Sequence, residues 1–136
     1  MAALEWSDEF SVGIDLIDKQ HKLLIRAINL LAMAVEHNSS RDIMKEIFRT
    51  LRDYTDTHFA YEELLFDRFG YPDSVKHKLQ HKNLLGQVID LEQRWLAGDA
   101  EIGSEVLTFL VEWLRNHILG SDKAYSAFLI TALKNG

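Results

Sequence analysis

Apolar residues recur along this chain in alternating steps of four and three, the spacing that lines the inward face of a helix in a bundle. Four such ladders can be traced. The first runs Ile17, His21, Leu24, Ile28, Leu31, Val35, and the second Ile47, Leu51, Tyr54, His58, Glu62, Leu65. The third runs His77, His81, Leu84, Val88, Leu91, Trp95, and the fourth Val106, Leu110, Trp113, His117. Chain breakers are few, with one proline, Pro72, and seven glycines, which favours long helices over a sheet with many turns. They fall in three places. "HNSSRD" offers Ser39 and Ser40 as stop and N-cap material, "FGYPDS" puts Pro72 near a first turn, and "AGDAEIGS" makes the third joint. The ladders and joints predict helices over roughly Asp15 to Glu36, Arg41 to Phe69, Asp73 to Leu96 and Ser104 to Lys134. Short joints between long helices predict an all-α, up-down-up-down four-helix bundle, here with an N-terminal extended arm.

The polar residues on these ladders are the informative ones. His21, His58, Glu62, His77, His81 and His117 all stand on apolar rungs, and burying such groups without partners costs several kcal/mol. They must satisfy one another or share an ion. His37 is the contrast, since sixteen residues past His21 it lies about 160° around the helix and is expected to be exposed. Lys76, Lys78 and Lys82 flank the third ladder and read as a solvated face, with a charge that helps to keep nearby imidazoles neutral. Any one of these histidines alone would read as an ordinary hydrogen-bonded core residue. Their number, on four separate stripes, argues for a metal.

"HILGSD" adds Asp122, five residues after His117. In a regular helix that step separates two side chains by roughly 140°, so both can face one centre only if the helix is distorted between them. Gly120 permits the distortion, and a π-type bulge is expected around Leu119 to Ser121. Beyond it, Tyr125, Phe128 and Leu129 form an apolar face of their own.

Composition narrows the chemistry. The 136 residues, 47% hydrophobic, suit a single domain over residues 1–136. Cysteine is absent, which removes disulfides, thiolate zinc sites, iron–sulfur clusters and cysteine nucleophiles, so a metal here must be held by imidazole and carboxylate. The net charge of −6, with no basic stripe, argues against nucleic acid as a partner. "MAALEWSDEF" lacks the basic start and apolar run of a signal peptide, and "LLIRAINLLAMAV" is broken by Arg26 and Asn29. A cytoplasmic chain without membrane contact is expected.

Five imidazoles and two carboxylates exceed what one ion can take. If two octahedral ions share both carboxylates as bridges, those fill four of twelve positions, the histidines five, and an oxide or hydroxide bridge two more. One position stays open for a small ligand, and histidine with carboxylate is a donor set suited to iron. Zinc, which prefers four ligands, would leave several groups idle.

The sequence resembles the hemerythrin family, and specifically its bacterial members. The matching pieces are "DKQH" ending at His21, "HFAYEE" with His58 and Glu62, "HKLQH" with His77 and His81, and "WLRNHILGSDKAY" with Trp113, His117, Asp122 and Tyr125. Each pair alone is weak, but seven positions in order and spacing are specific. The resemblance implies two iron ions joined by an oxo or hydroxo bridge and binding dioxygen reversibly, without catalysis. It implies three histidines on one ion, His77, His81 and His117, and two on the other, His21 and His58, with Glu62 and Asp122 bridging. Glu63 is expected to point outward. An apolar wall over the open position falls by the same resemblance on Trp113, Leu114 and Ile118, with Phe59, Leu24 and Ile25 as further candidates and Tyr125 as a flanking pocket residue. Azide or nitric oxide are other small ligands for such a position.

Three alternatives remain at this point. A ferritin-like diiron oxidase is disfavoured because its sites use paired Glu-x-x-His motifs, which this chain lacks. A sensory module would transmit oxygen binding or redox change to a signalling partner domain of a larger receptor, and the chain ends at "LKNG" with no linker in view. An enzyme removing peroxide or nitric oxide is the third.

Overall fold

A computed structural model of the chain describes residues 4–37, 40–97 and 104–135. Ser39, most of the third joint and the side chain of Val106 lie outside the described residues. Helix α1 spans Asp15–Glu36, α2 Arg41–Phe69, α3 Ser74–Leu96, α4 Ser104–Asn116 and α5 Lys123–Asn135, with a π-helical segment, His117–Asp122, joining the last two. The fourth rod of the bundle is thus α4 and α5 in line, with no strand among the described residues. Helix α1 packs against α2 and α4, and α2 against α3 and α5. No described helix is long and apolar enough to cross a membrane.

Local chemistry sets the joints. Ser40 caps α2, its Oγ accepting a hydrogen bond from the Ile43 amide at 3.3 Å. At the other end Gly70 takes a left-handed conformation, φ 70°, and both its amide and that of Tyr71 donate to the Phe66 carbonyl. The arm before α1 is extended apart from a 3₁₀ turn, Asp8–Phe10. It is tied down at three points. Asn29 bonds the Leu4 backbone both ways, Asp18 accepts from the Ser11 hydroxyl and the Val12 amide, and Ser126 on α5 donates to the Val12 carbonyl.

The apolar core forms two clusters. One holds Leu24, Ile28, Leu31, Phe48, Leu51, Phe59, Leu84, Val88, Leu110, Leu114 and Ile118. The other holds Val12, Ile17, Leu65, Phe66, Tyr71, Tyr125 and Leu129. Along α1, α2 and the fourth rod the polar rungs stand between them, as His21 does between Ile17 and Leu24, or His117 and Asp122 between Leu114 and Tyr125.

The ladder of α2 is out of phase in its first half. Tyr54 is exposed and Ile47 half-buried, whereas Phe48, Leu51 and Thr55 are buried, and the face rejoins the expected one at His58. At 100° per residue, positions 54 and 55 fall on opposite edges of the stripe that runs through Leu51 and His58, so a small rotation of the helix decides which of the two is buried. Val35, Leu91, Trp95 and Trp113 are only half-buried. In α3 the buried residue beside Leu91 is Glu92, which accepts from the Arg52 guanidinium at 2.6 Å and forms an ion pair at that end of the bundle.

Candidate metal centre

The seven polar groups converge. His21, Glu62, His77, His81, His117, His58 and Asp122 are all buried, none more than 5% exposed. Each helix delivers its share by spacing alone. His58 and Glu62 lie one turn apart on α2, and His77 and His81 one turn apart on α3, so each pair projects from one face. His117 and Asp122 are five apart, but in a π turn the hydrogen bonds close from i to i+5 and bring such residues to the same side. His117 Nε2 lies 3.1 Å from Asp122 Oδ1 as a result. The distortion covers the whole stretch from His117 to Asp122, wider than expected. It does not need glycine at its centre: Gly120 has an ordinary φ, and a Cβ there would meet nothing within 4 Å.

The donor atoms stand at coordination distances from one another. His21 Nε2 is 2.8 Å from Asp122 Oδ2, His58 Nε2 2.7 Å from Glu62 Oε1, and His77 Nε2 3.0 Å from Asp122 Oδ1. His81 Nε2 is 3.4 Å from Glu62 Oε1. Neighbouring donors on an octahedral ion with bonds of about 2.1 Å lie about 3 Å apart. These five nitrogens and all four carboxylate oxygens are buried with no hydrogen-bond partner despite their closeness. Nine orphaned polar atoms in a bundle core are far outside the pattern of folded proteins, and a shared cation satisfies them together. The donors sort into two groups, Glu62, His77, His81, His117 and Asp122 in one, His21, His58, Glu62 and Asp122 in the other. Both carboxylates belong to both groups.

The electrostatics agree with a demand for positive charge. Burial and the nearby Asp122 push the Glu62 carboxyl up, but His58 and His81 outweigh them, and it titrates at about 2 against an ordinary 4.5. Burial raises Asp122 too, and His117, His21 and His77 carry it well below its usual value. Both acids stay ionised in a site that water does not reach. Tyr125 is held well above 10 by burial and by the two carboxylates, so it remains a neutral phenol.

The expected wall residues divide. Leu24, Ile25, Phe59, Leu114 and Ile118 all lie in the first apolar cluster. Leu24, Phe59 and Leu114, with Thr55 and others, line an internal cavity of about 20 Å³, while Ile25 and Ile118 do not. Trp113 stacks on the His117 ring at 4.5 Å and packs against the cluster from a half-buried position. Tyr125 departs from expectation. It belongs to the second cluster, against Phe66, Tyr71 and His77, because the π turn carries α5 past the donors to their other side. Lys76 and Lys82 are exposed as expected, as is His37, and Lys78 is bonded to Asp67.

Two residues the spacing did not reveal hold the donors from behind. Gln20 Oε1 lies 2.6 Å from His58 Nδ1, and Glu63 Oε2 3.1 Å from His81 Nδ1. Glu63 therefore turns partly inward rather than out. Each is a sequence neighbour of a donor, and only the pairing of α1 with α2 and of α2 with α3 turns that into contact.

Comparison with known proteins gives a consistent picture. The family model described as the hemerythrin HHE cation binding domain matches residues 12–129. A bacteriohemerythrin of Stenotrophomonas maltophilia is 40% identical over 126 residues, 93% of this chain and 81% of that protein. One of Methylococcus capsulatus is 34% identical over 130 residues, covering 95% and 98%. A crystal structure of wild-type hemerythrin superposes with a TM-score of 0.88 at 32% identity, covering 94% of this chain and 98% of that one. With the family model spanning most of the chain and the bundle matching at this identity, the chain belongs to the hemerythrin family of diiron oxygen-binding proteins.

Proposed function

We propose that the chain binds dioxygen reversibly, for carriage, storage or sensing, at two iron ions held by His21, His58, Glu62, His77, His81, His117 and Asp122. The observation that carries this reading is the division of the buried donors into two overlapping groups that share both carboxylates. Glu62 and Asp122 would then be shared by both ions, His77, His81 and His117 would hold one, and His21 and His58 the other. The two-histidine half offers one protein donor fewer, which would leave room there for a small ligand. When bound, the iron pair supplies the electrons that make dioxygen binding reversible.

The polypeptide does the remaining work. Gln20 and Glu63 accept hydrogen bonds from the Nδ1–H of His58 and His81, which turns each Nε2 inward and fixes its tautomer. The cavity of about 20 Å³ beside the site accommodates a single small molecule and is apolar except for Thr55. That hydroxyl is committed, donating to the Leu51 carbonyl at 2.7 Å. A lining without a free acid, base or nucleophile suits binding rather than turnover, so we read the chain as a non-enzyme.

Iron quantitation with the optical spectrum of the purified protein tests this. The expected result is two irons per chain with near-ultraviolet bands that shift on reduction and return on exposure to oxygen. One metal per chain, or zinc alone, refutes it.

A further inference from the structure

Every donor imidazole turns Nε2 toward the carboxylates, but the opposite nitrogens are treated differently. In the three-histidine group, His81 Nδ1 faces the carboxylate of Glu63 at 3.1 Å. In the two-histidine group, His58 Nδ1 faces the neutral amide oxygen of Gln20 at 2.6 Å, and His21 Nδ1 is buried with no partner. The outer anion is thus on one half of the centre only.

An imidazole whose N–H is bonded to a carboxylate is a more basic ligand than one bonded to an amide. We propose that Glu63 is a positioning residue that acts through His81 to make the three-histidine half the more electron-rich one, lowering the reduction potential of the iron centre. Gln20 leaves the two-histidine half less enriched. The inference rests on the diiron reading above and adds an electronic asymmetry to it. The three-histidine half has the fuller set of protein donors, so its influence on a bound ligand would be electronic, which is where a charged outer partner acts.

The setting limits the size of the effect. Glu63 is a third exposed and lies with His81 along a surface groove of about 530 Å³ between α2 and α3, next to Lys78 and Lys82. Water and those cations screen its charge. Outer partners of metal-bound histidines change metal affinity by about 10- to 100-fold, and the lower end applies here.

The test compares the iron-loaded full chain as wild type, Glu63→Gln and Gln20→Glu, by redox titration, with iron content and the melting of the iron-free protein measured on each. Glu63→Gln keeps the shape and an accepting oxygen, and is expected to raise the potential, favouring the reduced centre, with unchanged iron-free melting. Gln20→Glu is expected to shift the potential in the opposite direction. Where Glu63→Gln loses iron, the sign of the Gln20→Glu shift decides. A Glu63→Gln potential equal to wild type, or a Gln20→Glu shift toward the reduced form, overturns the proposal. Wild type without two irons overturns the diiron reading beneath it, a failure seen in the metal content before any potential is measured.

Discussion

Phe59 is where stability and ligand protection meet. Its ring is 3% exposed and stacks on the His81 imidazole at 3.7 Å and 4° between planes, with His58, His117 and Trp113 all within 6.3 Å. It also lines both the internal cavity of about 20 Å³ and the surface groove of about 530 Å³, so it is part of the partition between them. Phe59→Ala removes a buried aromatic, at a cost of about 3–5 kcal/mol. About 0.5–1.5 kcal/mol of that is the ring contacts. This is a large share of the 5–15 kcal/mol typical of a folded domain. The same substitution joins groove and cavity and admits water to the site. Leu31→Ala is the control, since Leu31 is fully buried in the same cluster, about 15 Å along α1 from His21, and costs about 2–5 kcal/mol without touching the partition. Denaturant unfolding of both variants, followed by decay of the oxygenated spectrum in air, separates the effects. Both are expected to be destabilised, and only Phe59→Ala to lose the oxygenated form faster than wild type. Equal decay rates in the two would refute the partition.

Ile118, fully buried beside His117, is expected to tolerate Val at about 0.5–1.5 kcal/mol. Lys there should cost more and speed loss of the oxygenated form; an unchanged decay rate for Ile118→Lys counts against it as wall. The depressed Glu62 carboxyl links stability to pH with a definite sign. Its contribution is complete above pH 4.5 and lost as pH falls toward about 2, with Asp122 acting in the same direction. Iron-free protein should therefore lose denaturant resistance over that window, and Glu62→Gln should flatten the slope; identical pH profiles would contradict the assignment. Gly13→Ala forces a side chain into φ 74° with its Cβ 2.8 Å from Ile130 Cδ1. It should destabilise by more than about 1 kcal/mol in thermal melts, and no change would mean that the arm is not held in this turn.

Much of this molecule was legible from residue spacing because helices are local. The steps between His58 and Glu62 and between His77 and His81 determined that each pair shares a face, and the five-residue step from His117 to Asp122 required a distorted helix, which the π segment supplies. Periodicity fails where two neighbours flank one stripe, as Tyr54 and Thr55 do, since a small rotation of the helix changes which residue is buried. Only the tertiary structure decided which helices are neighbours. It put Gln20 of α1 behind His58 of α2, Glu63 of α2 behind His81 of α3, and Tyr125 on the far side of the donors from the cavity. Hydrogen-bond period tells a side chain which way to face along its own rod. What it meets there depends on how the rods are rotated and shifted against one another, and the packing of the whole core settles that.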